Sequence, residues 1–193
     1  ELPERSVSVL VAARRGEDVA SLVELSSRLG ESAEIVVWPR ILRGALGNRA
    51  VGDIVDSPPI LRFLEETGSH LVVSAEDPRG NVLVLIDPGG RHAFIGEEAE
   101  PPSPWTFELP AARVGLVLAP RLETAADIRR ACVRGAAAIL VTSAEVETGG
   151  RRAFLQRSLV DRVRAIESRR WVVRTGEGGG VVANPLGGVD LEV

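Results

Sequence analysis

The chain has 193 residues, of which 45% are hydrophobic and 26% charged, and its formal net charge is −4 at pH 7. This length and composition are those of an ordinary globular protein, and we expect one domain that spans residues 1–193. Acids and arginines are interspersed, which excludes a basic patch for nucleic acid or a membrane surface, and no apolar run is long enough to span a bilayer.

Every basic residue in the chain is an arginine, because the sequence contains no lysine at all. Any reaction step that needs a lysine amine is therefore excluded within this sequence. Cys132 is the only cysteine, so an internal disulfide is also excluded. The chain starts at Glu1 rather than at methionine, which is compatible with an upstream segment that is absent or processed.

The first third of the chain predicts two strands with a helix between them. Residues 6–13 and 33–38 are apolar and strand-like, and the second of these strands is expected to be covered on both faces. Residues 16–32 carry a helical apolar stripe, with acids in the predicted first turn. The stretch 40–56 is predicted to be a loop, and a helix is predicted from Ser57 to about Thr67.

The middle of the chain predicts three short strands, at residues 70–76, 81–88 and 91–96, joined by turns rich in Asp, Pro and Gly. Residues 99–104 are rich in proline and are predicted to be extended.

Strands and helices alternate again in the last part of the chain. One helix is predicted to end at Gly135, and a longer helix, at residues 149–170, carries Phe154, Leu155, Leu159, Val163 and Ile166 on one side. This order predicts a layered α/β fold, in which helices cover mixed sheets. The predicted strands are residues 113–120, 136–144, 171–176 and 180–188.

Several residues are candidates for chemistry, and each has a structural alternative. The glycines of residues 176–180 would suit a phosphate loop, but a strand follows them, which favours a tight hairpin. The arginines near Cys132 favour a thiolate, whereas the alanines around it favour a small core residue. His70 and His92 have no partner at metal-ligand spacing, so neither a metal nor another cofactor is predicted.

The sequence alone does not decide the roles of two charged residues. Glu167 is expected to pair with Arg164 or Arg170, each about one helical turn away. Arg40 follows an apolar strand and a proline, and is compatible with an exposed loop charge, a carboxylate clamp or a substitute for another residue.

Four segments together resemble the nitrilase superfamily, the carbon–nitrogen hydrolases, and are most similar to the nitrilase-like domain of apolipoprotein N-acyltransferases. The resemblance covers nearly the whole chain in order and implies a shortened α-β-β-α sandwich. AEIVVWPR resembles the family strand that ends in WPE, and NVLVLIDPGGRH resembles its DPxG hairpin. The segments are residues 33–40, 81–92, 113–144 and 162–188.

In this family a cysteine attacks an acyl carbon, a glutamate acts as general base, and a lysine stabilises the oxyanion. The resemblance places Arg40 at the position of the glutamate and Ala119 at the position of the cysteine. No lysine follows the DPGG turn, and Cys132 lies too far along the chain to be the family nucleophile.

The resemblance therefore predicts a catalytically inactive domain that acts as a structural or interaction subunit, with a protein partner or self-association through its helices. The resemblance to the acyltransferases favours an extracytoplasmic, periplasmic-side location beside a membrane complex. Two alternatives stay open: a module that binds a small anion through Arg40 and Arg121, and a residual amidase or acyltransferase that uses Cys132.

Overall fold

Two β-sheets lie face to face, and helices cover the outer face of each sheet. The computed structural model describes nine stretches of the chain, and the fold is given for these alone. They are residues 8–11, 19–29, 33–38, 52–77, 80–96, 105–119, 125–143, 150–176 and 179–192.

The first sheet has five strands in the same order in space as in the chain. Strands β1, β2 and β3 are parallel, and β3, β4 and β5 form two antiparallel hairpins, as the turn residues between them predict. Their bounds are β1 Val9–Val11, β2 Ile35–Trp38, β3 His70–Asp77, β4 Gly80–Ile86 and β5 His92–Gly96.

The second sheet has six strands in the order β11-β10-β9-β8-β7-β6. Strands β7, β8 and β9 are parallel, and antiparallel strands extend the sheet at both edges. Their bounds are β6 Trp105–Glu108, β7 Arg113–Ala119, β8 Ala138–Ser143, β9 Trp171–Gly176, β10 Gly179–Ala183 and β11 Val189–Glu192.

Helices α1 (Val19–Leu29), α2 (Gly52–Val55) and α3 (Pro58–Thr67) bury apolar side chains against the first sheet. Helices α4 (Ala125–Val133) and α5 (Gly150–Ser168) do the same on the second sheet. A third apolar cluster fills the space between the two sheets. The predicted α-β-β-α sandwich is thus confirmed. Within the described residues, no helix is long and apolar enough to cross a bilayer.

The structure corrects two details of the predicted elements and leaves a third outside the described residues. Residues 40–56 are not loop throughout, because α2 forms where Ile54 and Val55 are buried against α3. Strand β6 was not predicted, since its four residues gain strand structure only by pairing with β7. Helix α1 is described from Val19, and the acids predicted for its first turn lie outside the described residues.

Sheets that pack face to face commonly keep their strand directions within about 30° of each other, and a contact near the strand starts shows which strand ends lie together. His70, the first residue of β3, lies against Phe107 of β6, with ring centroids 5.6 Å apart. Phe107 pairs with Val114 near the start of β7, and Val114 pairs with Ala138 at the start of β8. The parallel strands of both sheets therefore start at one edge of the sandwich and end at the opposite edge.

A buried ion pair fastens α5 to the second sheet. Arg174 of β9 donates hydrogen bonds from Nε and Nη2 to the two carboxylate oxygens of Asp161, at 2.7 and 3.0 Å. The two side chains are only 5% and 0% exposed. Removal of one partner would leave an uncompensated buried charge, and such a change costs far more than the loss of a surface pair.

We expect Asp161→Asn to lower the free energy of unfolding by about 3–5 kcal/mol, because Arg174 would keep its charge without a counter-ion. The control is Glu167→Gln, which removes an exposed pair and is expected to cost about 0–1 kcal/mol. Urea unfolding followed by circular dichroism measures both. Equal losses for the two variants would contradict a dominant role of the buried pair.

Burial lowers the pKa of His70 from its ordinary value of 6.5, and a hydrogen bond to the backbone of Glu34 and the charges of Asp87 and Glu34 oppose this only in part. The unfolded chain therefore takes up a proton at a higher pH than the folded protein does. The stability that the neutral His70 ring contributes is fully present above the pKa of His70 in the unfolded chain. It is lost as the pH falls through the lower pKa of His70 in the folded protein.

We expect the thermal midpoint to decrease as the pH is lowered from about 8 to about 5. His70→Phe is expected to make this decrease smaller while keeping the aromatic contact. His92→Phe is the matched control, because the His92 side chain is exposed. An equal reduction in both variants would show that His70 is not the group responsible.

Candidate functional site

The edge where the parallel strands end is the candidate site. This edge includes Ser74 of β3, Leu118 of β7 and Thr142 of β8. On each strand the residue lies four positions, roughly 13 Å, beyond the level of the His70–Phe107 contact. Trp38, the last residue of β2, pairs with Val73, so β2 ends at the same edge. The topology therefore places the ends of β2 and β7 together, although the chain separates them by some eighty residues.

The sequence-predicted site residues are only partly within the described structure. Arg40 and Arg121 lie outside the described residues. Ala119 is the last residue of β7 and pairs with Ser143 of β8. The strand that leads to Arg40 is firmly held, because Trp38 is fully buried and its Nε1 donates a hydrogen bond of 2.9 Å to Ser26 of α1.

A group of buried hydroxyls at this edge was missed by the sequence analysis. Thr142 and Thr175 are opposite each other on β8 and β9, and both side chains are fully buried. Their Oγ1 atoms have no hydrogen-bond partner among the described residues. The sequence contained a pattern that could have indicated them, since each threonine follows an inward-facing residue, Leu140 or Val173, by two positions near the end of its strand.

Cys132 lies elsewhere, on the outer side of the second sheet. It packs against the cluster between α4, α5 and the sheet, so the sheet separates it from the space between the two sheets. Helix α4 lies very close to β7, since a Cβ on Gly115 would be 3.0 Å from the Cβ of Ala131. Burial raises the pKa of the Cys132 thiol, with Arg170 opposing it, which favours the unreactive thiol.

Cys132 borders an open groove of about 500 Å³ between α4 and α5, which Arg129, Arg164 and Glu167 also line. Glu167 is not free there, because it accepts a hydrogen bond of 2.6 Å from Arg164, as predicted. The half-buried position of Cys132 against the apolar cluster favours the core interpretation over a reactive thiolate.

Neither of the other candidates forms a site in the described residues. Strands β9 and β10 are antiparallel and Gly176 pairs with Gly179, as the predicted hairpin requires, while residues 177–178 lie outside the described residues. His70 lies at the opposite edge of the sandwich from Thr142, and the His92 side chain is exposed. A search of the described residues finds no cluster of three or more His, Cys, Asp or Glu side chains.

Comparison with known proteins gives matches by structure only. No family model matches the chain, and no curated protein matches its sequence. An amidase from Nesterenkonia sp. superposes with a TM-score of 0.75 at 17% identity, over 97% of this chain and 86% of that one. A variant of the Nesterenkonia AN1 amidase from the nitrilase superfamily, with alanine in place of a cysteine, gives 0.76 at 18% identity, over 99% and 88%.

A third solved structure is a glutamine and alanine double variant of the Nesterenkonia sp. AN1 amidase in complex with acrylamide. It superposes with a TM-score of 0.75 at 17% identity, over 99% of this chain and 87% of that one. In another structure of that amidase, acrylamide has added to the active site cysteine. At such low identity the similarity concerns the fold alone. The chain has the fold of the nitrilase-superfamily amidases over essentially its whole length.

Proposed function

We propose that this chain is a catalytically inactive member of the nitrilase superfamily that acts as a structural or interaction subunit. The observation that carries the proposal is the absence of lysine from the whole sequence, which removes the family's oxyanion partner. An arginine side chain is not chemically equivalent to the lysine, because a guanidinium is planar and does not deprotonate. The closer resemblance to the acyltransferases remains a prediction from the sequence motifs.

The other two family positions support the same proposal. A carboxylate at residue 40 would act as the base, whereas the arginine there has the opposite charge and cannot accept a proton. Ala119 has no nucleophilic atom, and Cys132 lies behind the sheet with its thiol pKa raised. Each of the three changes is sufficient to stop acyl transfer by the family route.

An exposed apolar face on α5 supports the interaction role. Leu155, Leu159, Val163 and Ile166 are spaced four, four and three residues apart, which puts them on one side of the helix, and each is between 44% and 57% exposed. Covering the exposed part of each side chain offers roughly 1 kcal/mol. We propose that this face binds a protein, either a partner subunit or a second copy of the chain.

The turn between β10 and β11 extends this apolar face. Arg162 Nε donates a hydrogen bond of 2.7 Å to the carbonyl of Gly187, and a Cβ on Gly187 would be 2.6 Å from Cδ1 of Ile166. Two further hydrogen bonds close the turn, in which the Asn184 Oδ1 accepts from the backbone N–H groups of Leu186 and Gly188. Leu186, which is 91% exposed, is thereby held close to the α5 residues.

The decisive experiment is purification of the protein from its native source under mild conditions, including the detergent-solubilised membrane fraction. We expect a stoichiometric assembly with one defined protein partner or with further copies of the chain. The resemblance to the acyltransferases makes a membrane-associated complex the first place to search. A monomer that hydrolyses or transfers an acyl group would contradict the proposal.

Leu159→Glu is expected to dissociate that assembly, because it places a charge in the centre of the apolar face. Because Leu159 is 57% exposed, the thermal midpoint of the isolated chain is expected to change little. Light scattering coupled to size exclusion measures the mass. Arg62→Glu on α3, in the opposite helical layer, is the control and should leave the mass unchanged.

The purified chain is expected to release no ammonia from acetamide or acrylamide above the uncatalysed rate. Iodoacetamide, whose iodide leaves as the sulfur–carbon bond forms, should label Cys132 slowly in the folded protein and rapidly after unfolding, because burial raises the pKa of the thiol in the folded state. Mass spectrometry measures the labelling, with Cys132→Ser as the blank. Fast labelling of folded protein, together with turnover that Cys132→Ser abolishes, would favour the residual-enzyme alternative instead.

A further inference from the structure

Thr142 and Thr175, whose hydroxyls have no hydrogen-bond partner in the described part of the chain, lie on the face of the second sheet that is turned toward the first sheet. Each follows an inward-facing apolar residue by two positions, Leu140 on β8 and Val173 on β9. Arg174, next to Thr175, extends to the opposite face, where it meets Asp161. Both hydroxyls therefore point into the space between the sheets rather than toward the helices.

Ser74 faces them from the first sheet. It follows Val72, which belongs to the cluster between the sheets, by two positions, and it is fully buried. It is the fifth residue of β3, as Thr142 is of β8, and these two strands contact each other across the sandwich. Ser74 already has a polar partner. A hydroxyl has one donor and two acceptor positions, so Ser74 retains capacity for a further hydrogen bond.

The side chains around these three hydroxyls favour a small and uncharged molecule between them. Adjacent strands are about 4.8 Å apart, so one water-sized molecule can bond to hydroxyls on both. The neighbouring residues Leu118, Leu140 and Val173 are apolar, and a charge among them would lose its hydration without compensation. Buried polar groups without a protein partner are the usual ligands of internal water, which needs two to four of them.

We propose that Thr142, Thr175 and Ser74 hold an internal water molecule that links the two sheets at the edge where the parallel strands end. The water accepts from one threonine hydroxyl, donates to the other and reaches Ser74 with its remaining positions. It forms a polar link between the sheets one residue below the level of Ala119. This water site is independent of any catalytic activity at the same edge.

The test is magnetisation transfer from water to the methyl groups of Thr142 and Thr175 in isotopically labelled protein, measured by NMR on the native chain. We expect a long-lived water contact at both methyl groups and none at Thr106, a half-buried threonine of β6. Thr142→Val is expected to abolish the contact at Thr175 and to lower the thermal midpoint, because it removes one ligand of the water. Thr142→Ser, which keeps the hydroxyl, should retain the contact.

A different set of results is expected if no water molecule is bound at this site. If the hydroxyls are simply unsatisfied, valine removes a buried polar group at constant shape, and Thr142→Val raises the thermal midpoint. The absence of a water contact at both threonines in the wild-type protein, with that rise, would overturn the proposal. The control Thr106→Val should leave the signals of Thr142 and Thr175 unchanged in either case.

Discussion

The face-to-face packing of the two sheets is the constraint on which the rest of the structure depends. Aliphatic residues from β2, β3 and β4 pack against those from β7, β8 and β9, and their burial is the main favourable contribution from this layer. Most of these strands are therefore apolar on both sides, because the other face packs against helices, and β9 departs from this pattern where Arg174 meets Asp161. This requirement explains why the strand sequences run apolar instead of alternating.

The same packing decides what can meet at the candidate site. Because the parallel strands of both sheets end at one edge, the ends of β2 and β7 come together there. Cys132 cannot join them, since it lies on α4 behind the sheet, and the close approach of Ala131 to Gly115 fixes that helix in place. A thiol near several arginines is attractive for chemistry in the sequence, but its position in the layers makes it part of the core.

The outer layers are less symmetrical than the inner ones. Helix α3 buries Ile60, Phe63 and Leu64 and ends at Gly68, whose positive φ of 68° suits glycine. Helix α5 instead attaches through the buried Asp161–Arg174 pair and the small residue Ala165, and leaves its larger apolar residues outside. Helix α5 therefore has a polar attachment on its inner side and an apolar stripe on its outer side.

The candidate site was only partly predictable. The sequence placed Arg40 and Ala119 at strand ends through motif resemblance, and it excluded a lysine by composition alone. It did not reveal the paired hydroxyls of Thr142 and Thr175, because a threonine at a strand end is common on either face. Strand β6 was missed for a related reason, since its four residues become a strand only through the edge that β7 presents.

The sequence by itself determined the order of most elements, the end of α3 at Thr67, the glycine that follows α4 at Gly135, and the antiparallel pairing of β9 with β10. These features depend on local backbone preferences and on periodicity, which neighbours in the chain are sufficient to set. Only the tertiary structure decided which apolar face of each element is covered, which strand ends share an edge, and that the stripe on α5 faces outward. These depend on contacts between residues far apart in the chain, and periodicity gives the faces of an element but not its partner.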